Sequence, residues 1–243
     1  MKTNSNKITK RILVTGYPHC GTTMLRAKIG DCKNTYEQVR EFGSSTEYSP
    51  NMPFDFYVWK HPDVYQNFRQ HTFGIKSKTP LADTAIIPII RNPWHLFTSM
   101  HKRSLQEKTF TIYDGSGHGL KHYLATATTI LDAMKNNYDD IYPIRYEDMF
   151  ENDYQKLKEI FDKIGLEYDD DIFYTQKKVY QHNGSEYIED YNKNGKQDGN
   201  LRMWQINQPF QNMNKEVDLP EDFCKMLSES EIIKELGYSD PRK

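Results

Sequence analysis

The sequence predicts a three-layer α/β domain, with a central, mostly parallel sheet flanked by helices. Short aliphatic runs such as Ile12-Leu13-Val14 and Ala85-Ile86-Ile87-Pro88-Ile89-Ile90 read as buried strands. Each run is followed by a helical pattern, and strand–helix alternation implies parallel strands with both faces covered. The first run passes into its helix through a glycine-bounded turn, Gly16 to Gly21. A chain of 243 residues can form one such domain. Residues 10–243 are read as that domain and residues 1–9 as a disordered polar tail.

The first strand is expected over Arg11–Thr15, and the first helix from Thr22 to a cap near Gly30. Residues 31–60 read as irregular, apart from a short aromatic strand within Phe54–Trp59. A brief helix after Pro62 and a strand at Phe73–Lys76 come next. The run Ala85–Ile90 is the strongest second strand, although Pro88 would remove a ladder hydrogen bond. A helix follows from Pro93 to about Ser104, with proline early, where its missing N–H does no harm. A longer helix covers Leu120–Asn137, then a strand Ile141–Ile144 and an amphipathic helix Tyr154–Ile164 closed by Gly165. Within residues 174–200 the polar run Asn192–Asn200 reads as a mobile loop, and a last helix spans Glu221–Leu236.

Composition narrows the partners. The formal net charge is −2, so no global basic field recruits nucleic acid or an anionic membrane. The cysteines Cys20, Cys32 and Cys224 are odd in number and lack metal-ligand spacing, which fits free thiols in a reducing compartment. No apolar run approaches membrane-spanning length and the N-terminus has no signal-peptide core. A cytoplasmic location without stable membrane insertion is expected. His118 and His122 are four apart, but no glutamate follows the first, so a solvated helical face is preferred to a zinc pair and no metal is expected.

The chemistry sits in three segments. Gly16-Tyr17-Pro18-His19-Cys20-Gly21-Thr22-Thr23 has the spacing of a phosphate-binding loop, but Thr22 stands where lysine would reach the β- and γ-phosphates. Backbone N–H groups at a helix N-terminus can still hold a phosphate there. The expected ligand is therefore a phosphate-bearing donor that transfers something other than a γ-phosphoryl group. Next, Arg91 at the carboxyl end of a strand sits where open α/β sheets bind ligands, and Ser99 in the following helix could join it on one anion. Finally, Arg145-Tyr146-Glu147-Asp148 offers a ring just past a strand that could stack on a purine, with a carboxylate to cap the next helix.

Taken in this order, the segments resemble those of the sulfotransferases that use 3′-phosphoadenosine 5′-phosphosulfate (PAPS), over about residues 11–165. The resemblance implies a P-loop NTPase-like fold and transfer of a sulfuryl group from PAPS to an acceptor hydroxyl, leaving adenosine 3′,5′-bisphosphate (PAP) without a metal. It assigns Pro18, His19, Cys20, Gly21, Thr22, Thr23 and Met24 to the 5′-phosphosulfate. Arg91 and Ser99 go to the 3′-phosphate and Tyr146 to the adenine. Lys78-Thr79-Pro80 resembles the Lys-(Asp/Thr)-Pro element of tyrosylprotein and bacterial enzymes, whose lysine assists at the transferring group. Glu37, with Glu41 as second choice, matches their base, and Arg202 falls in a segment similar to the one that closes over PAPS.

His19 and Cys20 depart from the family's Arg/Lys and Ser. A neutral imidazole brings no fixed charge, so weaker or pH-dependent stabilisation of the sulfuryl group is expected. A PAP- or PAPS-binding protein of little or no activity and an atypical P-loop nucleotide kinase stand as alternatives. The acceptor class, whether carbohydrate, peptide tyrosine, lipid or small molecule, and the oligomeric state are left open.

Overall fold

The computed structural model describes residues 9–38, 53–61, 84–107, 119–175 and 210–243. The expected elements after Pro62 and at 73–76, the polar loop at 192–200, and Lys78, Glu41, His118 and Arg202 lie outside them.

Among the described residues five parallel strands form the sheet: β1 (Lys10–Gly16), β2 (Thr35–Glu37), β3 (Phe56–His61), β4 (Thr84–Ile90) and β5 (Ile144–Arg145). Their spatial order is β2-β3-β1-β4-β5, so β1 is central and all carboxyl ends point one way. The helices are α1 (Thr22–Gly30), α2 (Pro93–Glu107), α3 (Leu120–Asn136), α4 (Gln155–Ile164), α5 (Glu221–Glu229) and α6 (Glu231–Glu235). Residues 12–16 of β1 and 86–90 of β4 are buried without alternation, as strands covered on both faces must be. One hydrophobic cluster joins these strands to Leu25, Trp94, Phe97, Tyr123, Phe161 and Phe223 of the helices.

Several expectations are corrected. The stretch read as irregular contains β2, a three-residue strand that exists because Thr35, Tyr36 and Glu37 pair with Phe56, Tyr57 and Val58. Strands this short carry no periodicity of their own. The aromatic strand runs on to His61, which places Lys60 and His61 at the carboxyl edge of the sheet.

Pro88 is accommodated inside β4 because its backbone faces β5, where the ladder is interrupted. Ile86 bonds to Asp140 and Tyr142, and pairing resumes only at Ile89 with Ile144. The missing N–H falls in that gap. The same gap shortens the strand expected at Ile141–Ile144 to an isolated bridge at Ile141 and the two-residue β5.

The single last helix is two. Ser230 adopts φ −74°, ψ 118° and separates α5 from α6. An unbroken helix would place Ile233 about a third of a turn off Leu227, away from the centre of the stripe it forms with Phe223. The break lets Ile233 join the core fully buried. By contrast α4 ends as expected, with Gly165 in the left-handed region at φ 86° and its N–H on the Phe161 and Asp162 carbonyls.

Candidate active site at the carboxyl edge of the sheet

The loop between β1 and α1 is fixed by two close approaches. A Cβ on Gly16 would stand 2.5 Å from the Ile89 carbonyl oxygen of β4. One on Gly21, which has φ 92°, would stand 2.7 Å from the Tyr146 ring. Between them Cys20 N–H donates to the Tyr17 carbonyl at 3.1 Å, and His19 takes a left-handed φ of 69°. Gly21 then serves as N-cap of α1 and supplies no side-chain cap. The first-turn amides of Thr22, Thr23 and Met24 find no carbonyl within their own helix, so the N-terminus keeps its partial positive charge.

Two cations bracket this loop. Lys60 extends from the end of β3, and its Nζ donates to Thr23 Oγ1 at 2.5 Å, although the residue is only 6% exposed. Arg91, also 6% exposed, leaves the end of β4 on the other side of β1, and its Nη1 donates to the His19 carbonyl at 3.2 Å. Lys60 was not singled out from the sequence. A lysine ending an aromatic run reads as a strand leaving the core, and only the register Val14↔Lys60 brings it beside the loop.

Arg91 is held on every side. Its guanidinium lies 4.2 Å from the centroid of the Tyr146 ring, a cation–π contact. Its Nε and Nη2 both donate to Asn214 Oδ1, at 3.0 and 2.8 Å, and Nη2 also donates to the Met213 carbonyl. Tyr146, 1% exposed, packs its ring between Arg91 and Gly21, while its hydroxyl accepts from Met213 N–H at 2.9 Å. Glu147, just after β5, accepts from Asn92 N–H and from the Tyr238 hydroxyl, tying the Arg91 turn to the C-terminal helices.

The remaining expected residues are placed as follows. Cys20 is wholly buried, and burial pushes its thiol well up despite the pull of Arg91, so the side chain is a neutral core group. Pro18 and His19 are half-buried on the loop, and Met24 packs partly against the core. Ser99 is half-buried on the second turn of α2, beside Thr98, whose hydroxyl accepts from Asp218 N–H. Glu37 stands at the carboxyl end of β2, where Arg26 Nε donates to its Oε1 at 3.0 Å. The two side chains are 1% and 6% exposed, Arg26 and Glu37 respectively. A Cβ on Gly30 would meet Glu37 Oε2 at 2.7 Å, so the carboxylate is wedged against α1. His122 packs its ring 5.5 Å from that of Tyr17. Among the described residues no helix is long and apolar enough to cross a membrane.

No protein-family model and no curated protein matches the chain. Solved structures do. The chain is similar to a sulfotransferase domain from the curacin biosynthetic pathway, at 12% identity over 97% of this chain and 100% of that one, with a TM-score of 0.53. It is similar also to a sulfotransferase domain from the Synechococcus PCC 7002 olefin synthase, at 13% identity over 99% of each chain and a TM-score of 0.53. A retinol dehydratase solved with androsterone and the inactive cofactor PAP matches at 13% identity over 98% of this chain and 85% of that chain, with a TM-score of 0.52. The chain has the fold of the PAPS-dependent sulfotransferases, a P-loop-like α/β sheet.

Proposed function

We propose that the protein is a PAPS-dependent sulfotransferase acting on an acceptor hydroxyl. The observation that carries this reading is the open N-terminus of α1 set between two nearly buried cations, Lys60 and Arg91. The arrangement answers to a ligand bearing two separated anions. The loop amides and Lys60 take the 5′-phosphosulfate, and Arg91, about one strand spacing away on the far side of β1, takes the 3′-phosphate with Ser99. The glycines fit the same ligand: at Gly16 and Gly21 any side chain would collide with Ile89 or Tyr146, and their absence lets the backbone turn its N–H groups outward.

In the reaction the acceptor oxygen attacks sulfur as the bond from sulfur to the leaving phosphate oxygen breaks, and the hydroxyl proton passes to a carboxylate. Glu37 is the proposed acceptor of that proton, standing at the same edge of the sheet, two strands from the loop. Lys60 stabilises charge growing on the leaving oxygen, with His19 and the first-turn amides around the transferring group. Lys78 and Arg202 are retained as proposed contacts from segments outside the described residues. The neighbour solved with PAP supports the choice of donor. A protein that binds PAP without turnover is the second reading, and the observation in its favour is the Arg26 contact on Glu37.

Incubation with radiolabelled PAPS and a panel of carbohydrate, tyrosyl-peptide, lipid and phenolic acceptors tests the proposal. Label transfer to one acceptor class is expected, abolished in Glu37→Gln, together with a rise in melting temperature on adding PAP. Millimolar PAP without any thermal shift would sink the reading, and a shift without transfer would favour the binder. Magnesium-dependent ATP turnover would point to the kinase alternative.

A further inference from the structure

The segment from Phe210 to Asp218 has no regular structure, yet it lies directly over the proposed 3′-phosphate site. Side chains from other elements tie down its backbone. Tyr154 donates to the Phe210 carbonyl, Tyr146 accepts from Met213 N–H, His95 Nδ1 meets the Lys215 carbonyl at 2.7 Å, and Thr98 accepts from Asp218 N–H. Phe210 anchors one end among Phe150 and Tyr154. At its centre Asn214 Oδ1 accepts from both Nε and Nη2 of Arg91. That edge of a guanidinium is one that a phosphate monoester engages through two oxygens.

We infer that Asn214 is a built-in competitor for Arg91: its amide oxygen stands in for a phosphate oxygen, and a 3′-phosphorylated nucleotide binds by displacing it. This rests on the donor reading given above. The geometry favours competition over joint binding. Met213 carbonyl and Asn214 Oδ1 share Nη2, while His19 carbonyl takes Nη1 and the Tyr146 ring covers one face. A phosphate that approaches along the Nε–Nη2 edge meets an oxygen already there. Asn214 can yield because its grip is local. Among the described residues its side chain makes one other polar contact, a long one from Nδ2 to Glu147 Oε1 at 3.4 Å, and is half-exposed, while its backbone N–H stays anchored on Asn212 Oδ1 at 2.9 Å. The contact would set a threshold: a nucleotide with a 3′-phosphate can exchange one oxygen for another at Arg91, whereas one with a bare 3′-hydroxyl offers no charge to do so. Asn214 is therefore a specificity-determining residue for the donor.

Isothermal titration of the wild-type chain and Asn214→Ala with PAP and with adenosine 5′-phosphate tests this. The variant should bind PAP about tenfold more tightly, the scale of one charge-assisted hydrogen bond no longer displaced. Its affinity for adenosine 5′-phosphate should not change. Hydrogen exchange at the Met213 and Asn214 amides should rise when wild type is saturated with PAP. Weaker PAP binding by Asn214→Ala, an equal gain for both nucleotides, or slower exchange in the segment would overturn the inference while leaving the donor reading intact. PAP binding to neither protein would overturn both.

Discussion

The two cations beside the loop are held by different parts of the molecule. Lys60, from β3, donates to a hydroxyl in the first turn of α1. Arg91, from β4, is equally buried, with the segment from Phe210 to Asp218, the His19 carbonyl and the Tyr146 ring all on it. One cation bears on the loop itself, and the other is a keystone of the fold as well as a proposed binding group. The difference implies that loss of binding and loss of stability should separate on the Lys60 side and coincide on the Arg91 side.

The largest effect is expected from Arg91→Ala. It strips donors from Asn214, Met213 and His19 at once, so unfolding in urea should show a loss of about 3 kcal/mol, together with loss of PAP binding. Unchanged stability would break the contrast. Lys60→Met should weaken PAP about a hundredfold, equivalent to about 2.7 kcal/mol, with little change in urea midpoint. Titration calorimetry beside the unfolding curve reads both, and a collapse in stability would make Lys60 a structural residue.

The smallest effect is alkaline. Tyr123 and Tyr238, whose hydroxyls donate to the Arg91 and Ile90 carbonyls, are held neutral well above pH 10.0, by burial first and then by nearby Cys20 for Tyr123 and Glu147 for Tyr238. In the unfolded chain they ionise near pH 10.0, so the stability they contribute is complete below that value and falls as pH rises above it. Tyrosinate absorbance should therefore show a late step that coincides with unfolding.

Much of this edge was legible in the sequence. Ile12–Val14 followed by the glycine turn fixed β1 and α1 because a buried strand, a turn and an uncapped helix each have a local signature. Arg91 was legible through its position after an aliphatic run. The signals failed where structure comes from pairing or from distant side chains. Strand β2 has no pattern apart from β3, and Lys60 acquires meaning only through the sheet register. The segment from Phe210 to Asp218 is invisible because no periodicity describes it: Asn214 meets Arg91 across 123 positions of chain. The contact between Glu37 and Arg26 is likewise invisible, because in the sequence Arg26 is one more residue of a helical pattern.

The 2.7 Å approach of a hypothetical Gly21 Cβ to Tyr146 makes these two positions a lock and its key in any engineering of the chain. A loop transplanted from another protein with a side chain at position 21 would force the ring aside and, with it, the guanidinium stacked on the ring. The loop is thus not a portable cassette. It can be exchanged only together with the aromatic residue after β5, and a library that varies one without the other would lose Arg91's alignment before it sampled any new donor.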